Sequence, residues 1–132
     1  DVACFQKVKG EAGLFNVSTA EMTAFDLITY LHVAGQINHV ATVLVELVDV
    51  LKVEQLVALL ESGIVEISVA QRLGYLLELL APSFDLSSYE HALRNTYSMR
   101  KRWLVANGLK EKIELSERWK IIVNERVEPD DL

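Results

Sequence analysis

From Met22 to Tyr97 apolar residues recur at helical spacing, and glycine or proline interrupts the run at short intervals. No other feature limits the fold as much. Residues three or four apart share one face of a helix, so each segment carries a single apolar stripe that has to be covered. Met22, Phe25, Ile28 and Leu31 form the first stripe, which stops near Gly35. Val40, Leu44, Leu47 and Leu51 form the second, in a helix expected from about Ile37 to Leu51. A third helix is predicted from Val53 to Ser62, with Leu56, Val57 and Leu60 on one face and Gly63 as its stop. The fourth runs from Ile67 to Leu80 and ends at Pro82. A fifth begins at Asp85 or Ser87 and carries Leu86, Tyr89, Leu93 and Tyr97. Such short links make successive helices antiparallel or steeply crossed neighbours.

Outside that run the pattern is β-like. CFQKVK (4–9) alternates apolar with polar residues, GEAG follows as a turn, and LFNVS (14–18) reads as a second strand, so a hairpin is expected. After residue 98, RWLVA (102–106) and RWKIIVN (118–124) are rich in Trp, Val and Ile, with NGLKEKIELSE linking them. The expected class is α+β: about five helices packed with a small, mostly antiparallel sheet built from both chain ends, in a single domain over residues 1–132.

A chain of 132 residues can bury a real core, and 51% hydrophobic with 24% charged residues describes a globular protein rather than a disordered one. It begins at Asp1, which reads as a piece of something longer, and no signal peptide is visible. The longest stretch without Asp, Glu, Lys or Arg, Leu27 to Val45, holds Thr29, His32, Gly35, Gln36, Asn38 and His39. Those polar groups would sit in mid-bilayer, so two helices around a glycine fit better than a membrane span. Cys4 is the only cysteine, which excludes a disulfide framework and suits a cytoplasmic setting. The net charge of −6 argues against general affinity for nucleic acid. Its distribution is uneven: residues 1–90 hold 4 basic and 12 acidic side chains, and residues 91–132 hold 9 basic and 7 acidic.

The clearest local signal is Ser18-Thr19-Ala20-Glu21, read as a capping box in which Ser18 accepts from the Glu21 amide and Glu21 reaches back to the Ser18 amide. The least comfortable one is AQRLGYLLELLAP (70–82), where Arg72 and Gly74 interrupt a leucine seam. Glycine inside a helix costs about 1 kcal/mol against alanine. Ala70 and Gly74 stack on one face and would let another backbone approach. Arg72 either makes a structural ion pair, with Glu66 or with Asp26 of the first helix, or belongs to a partner surface.

LFNVSTAEMTAFDLI, VAQRLGYLLELLAP and RWKIIVNERVEPDDL together resemble the C-terminal domain of the AbiEi family. These are antitoxin and transcriptional-regulator proteins of bacterial abortive-infection systems, which act in phage defence as type IV toxin–antitoxin pairs. The likeness rests on three motifs in order: S-x-x-E-x-T-x-x-D-L, an R-L-G-Y-L-L-E helix and a late R-W-x-x-x-x-N strand. It implies an antitoxin acting against a nucleotidyltransferase-like toxin, without necessarily forming a stable complex with it. It also implies a separate N-terminal winged-helix module that binds operator DNA and represses the operon. No winged helix precedes the first strand, so that module would lie outside these residues. The reading from another class is a plain helical interaction or dimerisation domain of some other transcriptional regulator.

Catalysis finds no support in the pattern. His32, His39 and His91 lack metal-ligand spacing, and no glycine-rich phosphate loop, paired catalytic carboxylates or Ser-His-Asp arrangement is legible, so neither an enzyme nor a cofactor is expected. What remains is charge. Arg94 to Lys120 holds eight basic residues against Glu111, Glu114 and Glu117, a local net of +5. Arg100, Lys101, Arg102, Lys110, Lys112, Arg118 and Lys120 form one surface if RWLVA pairs with RWKIIVN. That surface would meet nucleic acid or an acidic partner, or it is simply a solvated sheet edge.

Overall fold

In the computed structural model the described residues are 5–10, 13–31 and 36–129, with backbone alone for 5–18. Cys4, His32 and Gly35 lie outside them, and with them the expected stop of the first helix. Strands β1 (Phe5–Gly10) and β2 (Gly13–Ser18) pair antiparallel, from Phe5 opposite Ser18 to Gly10 opposite Gly13. Five α-helices follow: α1 (Ala20–Thr29), α2 (Ile37–Leu47), α3 (Val53–Ser62), α4 (Ile67–Leu80) and α5 (Ser87–Thr96). Three short strands close the chain, β3 (Arg102–Trp103), β4 (Glu114–Ser116) and β5 (Ile121–Val123).

The architecture is α+β. Strands from the two chain ends form two sheets, however, not one. Among the described residues β1 and β2 pair only with each other, while the second sheet has the order β3-β5-β4, with β3 parallel and β4 antiparallel to β5. β4 falls within the linker expected between the two Trp-containing segments. The second helix is also shorter than its stripe suggests, because Val48–Val50 tightens into a 3₁₀ turn that brings Leu51 back to the core.

α3 ends at Gly63, whose φ of 81° glycine adopts without strain. The core is continuous from the helices into the second sheet. Phe25, Ile28, Leu44, Leu56, Leu73, Leu76 and Tyr89 share it with Leu104, Val105, Trp119, Ile121 and Val123. Inside it Tyr89 of α5 donates to the Ala70 carbonyl of α4 at 2.7 Å, and at its margin Tyr97, just after α5, donates to the carbonyl of Val65 between α3 and α4 at 2.6 Å. Among the described residues no helix is long and apolar enough to cross a membrane.

The first helix is not capped by the Ser18–Glu21 box. Ser18 is the last residue of β2, so the N-cap falls to Thr19, whose hydroxyl accepts from the Met22 amide at 3.2 Å. Glu21 is buried, and its carboxylate accepts instead from the Lys52 amide at 2.8 Å, at the start of α3. Glu21 thus serves the start of α3 rather than its own helix.

Candidate nucleic-acid or partner interface

α4 is the element around which the C-terminal residues assemble. Its N-terminal half presents Gln71 to the segment that leads into β3. The Gln71 amide, fully buried, donates through Nε2 to the carbonyls of Arg100 and Trp119, both at 2.9 Å. Its Oε1 accepts from Arg102 Nε at 2.9 Å. One side chain thus satisfies two chain segments 19 positions apart and ties the residues entering β3 to those entering β5.

Arg72 does not pair with Asp26 or Glu66. Its Nε donates to the Trp103 carbonyl at 2.9 Å, and Asp26 is exposed on α1. The geometry explains why: Arg72 faces β3, whereas Asp26 shares a groove between α1 and α2 with Tyr30, Gln36 and His39. Burial lowers the affinity of Arg72 for its proton, and the neighbouring Arg102 charge lowers it further. Burial and then Arg100 do the same to Arg102.

Gly74 does leave room for a close approach, but to an indole rather than a backbone. A Cβ at this position would lie 2.5 Å from two ring carbons of Trp119. Trp119 is fully buried, and its Nε1 donates to Glu78 Oε1 at 3.0 Å. The other oxygen of Glu78 accepts from Arg118 at 2.6 Å, and Arg118 Nε donates to Glu90 of α5, also at 2.6 Å. Gly74 and Glu78 of the R-L-G-Y-L-L-E helix therefore hold Arg118 and Trp119 of the R-W-x-x-x-x-N strand directly. Asn124, the last letter of that motif, is buried and braces the loop after β3, accepting from the Val105 amide at 3.0 Å and donating to the carbonyls of Val105 and Leu109.

The seven basic candidates divide accordingly. The two Trp-containing segments do pair, with Arg102 opposite Ile121 and its amide bonded to the Lys120 carbonyl at 3.0 Å. Arg118, however, is taken out of the open set by Glu78 and Glu90. Burial works against its charge, but the bonds from the two carboxylates outweigh that and hold its pKa above the usual value. Lys110 lies over the Trp103 ring, 5.1 Å from its centroid, and reaches the Ala106 carbonyl. Arg102 is half-buried against Gln71. Arg100, Lys101 and Lys112 are exposed and Lys120 is half-buried, and among the described residues these four side chains make no ion pair. Lys112 sits apart from the others, toward the far end of β5, since the next residue, Ile113, donates its amide to the Val123 carbonyl.

His39 and His91 do not converge: His39 lines the α1–α2 groove, and exposed His91 bonds Asn95 at 2.9 Å on α5. Among the described residues no group of three or more His, Cys, Asp or Glu side chains could hold a metal. The sequence reading missed Gln71, Asn124 and the bridging role of Glu78. A buried Gln or Asn carries no mark that separates it from a surface one, although Glu78 stood in plain view within the central motif.

Compared with curated proteins and with solved structures, the chain matches none. A family model does match, over residues 2–79, and it is described as the AbiEi antitoxin C-terminal domain. The matched segment includes the first two motifs and leaves the R-W-x-x-x-x-N strand outside. It extends over more than half of the chain, which therefore belongs to the AbiEi antitoxin C-terminal domain family.

Proposed function

We propose that this domain is the antitoxin part of a bacterial type IV toxin–antitoxin pair and counteracts a nucleotidyltransferase-like toxin in the cytoplasm. The observation that carries this reading is the family match over residues 2–79, which includes the Arg72–Glu78 helix. In this reading the domain works without catalysis. A winged-helix module joined to it binds operator DNA and represses the operon. Exposed Arg100, Lys101 and Lys110, with half-buried Arg102 and Lys120, add phosphate contacts or meet an acidic partner, and Lys112 would do so only from its separate place toward the far end of β5. Arg118 is excluded from this role, because its two carboxylates already neutralise it.

The test combines charge reversal at Arg100 and Lys101 with two separate readouts in the full-length protein. Operator binding is measured as a function of salt, and rescue of growth is measured against the co-expressed toxin. Loss of rescue with repression intact assigns the surface to toxin neutralisation, and the opposite result assigns it to DNA. A folded variant that keeps both makes the surface a solvated edge. Failure of the wild-type domain to relieve any nucleotidyltransferase-like toxin encoded beside it would overturn the antitoxin reading itself.

A further inference from the structure

Arg72 and Arg102 are both anchored at the junction of α4 and β3, and among the described residues neither pairs with a carboxylate. Gln71 and Arg72 are consecutive on α4, Arg102 and Trp103 are consecutive on β3, and the two pairs are cross-linked. Arg102 Nε donates to Gln71 Oε1 and Arg72 Nε donates to the Trp103 carbonyl, both at 2.9 Å. Each guanidinium is anchored by Nε alone. Gln71 is itself held by the carbonyls of Arg100 and Trp119, so the anchor is rigid. The terminal nitrogens of both arginines donate to no acceptor among the described residues. Among those residues no buried side-chain nitrogen lacks a partner, so these four nitrogens open to solvent. Arg94 and Arg118, by contrast, are both paired with carboxylates. Burial and then the neighbouring Arg102 charge lower the affinity of Arg72 for its proton, in keeping with this arrangement.

We propose that Arg72 and Arg102 form a two-arginine seat for a phosphomonoester, the terminal phosphate of a nucleic-acid strand or of a mononucleotide. Two guanidinium forks suit a group with three terminal oxygens and a charge of about −1.5 to −2 at neutral pH. A phosphodiester offers two such oxygens and one charge, and a carboxylate no more. An anion here also relieves the repulsion that folding has built in. Exposed Arg100 and Lys101, on the segment entering β3, extend the positive potential along which a strand would leave, and this favours a nucleic-acid end over a phosphopeptide. The seat shares Arg102 with the basic surface described above but does not require the antitoxin reading.

The experiment titrates the protein with inorganic phosphate, a nucleoside 5′-monophosphate, and one short oligonucleotide with and without a 5′-phosphate. The phosphorylated strand is expected to bind about tenfold more tightly than its unphosphorylated twin, as one charge-assisted hydrogen bond would give. Arg72→Lys keeps the charge and loses the fork, and Arg102→Gln loses both; each should abolish the difference. Lys101→Gln should weaken the two strands alike. Phosphopeptide or mononucleotide controls identify the source: equal binding of the mononucleotide supports the seat and assigns it to free nucleotide, whereas preference for the phosphopeptide overturns the nucleic-acid assignment. If the two strands bind equally, or their difference survives in both arginine variants with wild-type circular dichroism, the seat does not exist. Toxin rescue is scored separately, so failure of this proposal and failure of the antitoxin reading give different results.

Discussion

Gly74 lies directly beneath the six-membered ring of Trp119, so close that a single methyl group would stand 2.5 Å from two of its carbons. In most helices Gly→Ala stabilises by up to about 1 kcal/mol. Here the sign should reverse. Gly74→Ala must displace a fully buried indole that is also bonded to Glu78, and overpacking of this kind costs about 1–3 kcal/mol. Chemical denaturation measures the loss. Trp119→Phe is destabilising on its own but relieves the clash, so the double mutant should be more stable than the sum of the two changes predicts. Strict additivity would mean that the ring does not touch this face.

Removing the Gln71 amide should be more damaging than its modest size suggests. Gln71→Met keeps most of the volume but strips partners from the carbonyls of Arg100 and Trp119 and from Arg102 Nε. Each buried group left without a partner costs about 1–3 kcal/mol. The expected outcome is a drop in unfolding free energy larger than that of Arg102→Met, which frees only one of the three bonds. Equal drops would show that the carbonyls find water.

The Glu90–Arg118–Glu78 network predicts an acid limb to the stability profile. Burial alone would raise the Glu90 pKa, but the bonds from Arg118 and Arg94 outweigh it and lower it below the ordinary value of 4.5. A carboxylate depressed in the folded state adds stability above its unfolded pKa and loses it as pH falls through the folded one. Urea midpoints should therefore fall on acidification below about pH 4.5. Glu90→Gln should be less stable at neutral pH and show a shallower fall. These charges are partly exposed, so the effect should shrink in high salt.

At Lys120 φ is 53°, in the left-handed region where a side chain crowds the backbone. Lys120→Gly should therefore cost nothing measurable or raise the melting temperature. Lys120→Val should lower it, because a β-branched residue tolerates this conformation poorly. Thr19→Ala removes the cap that accepts from the Met22 amide and should cost about 1 kcal/mol, with Thr19→Ser restoring most of it.

How much of this was legible depended on whether a feature is local. α3 and α4 begin and end where periodicity and breakers place them, at Val53–Ser62 and Ile67–Leu80, because a 3.6-residue stripe, a glycine stop and a proline are all local signals. The β1–β2 hairpin was legible for the same reason. β4 was not: Glu114–Ser116 is three residues long and sits among charges, and it is a strand only because β5 offers it an edge. Partnerships were the least legible. The letters around Arg72 suggest an ion pair or a partner surface, whereas its acceptor in the fold is a backbone carbonyl that no residue letter advertises. Glu21 fitted a capping box in spacing, yet β2 claims Ser18 and the carboxylate turns to Lys52. The repeated basic-Trp start of RWLVA and RWKIIVN points to their pairing, but the neutralisation of Arg118 depends on Glu78 and Glu90 lying 40 and 28 positions away.

The burial of Trp119 against α4 bears on where this protein can be cut. The family match stops at residue 79, yet the indole that fills the groove over Gly74 comes from far beyond that point. A fragment ending at Leu79 would expose the groove, strand the acceptor on Glu78 and lose the strands that bring Ile121 and Val123 into the interior. Such a fragment would be sticky and poorly soluble, while a cleavage confined to the exposed stretch around Leu109–Lys112 would leave both pieces clasped together. The smallest unit of this domain that can be inherited, transplanted or expressed intact therefore reaches at least to Asn124, whatever the extent of recognisable sequence likeness.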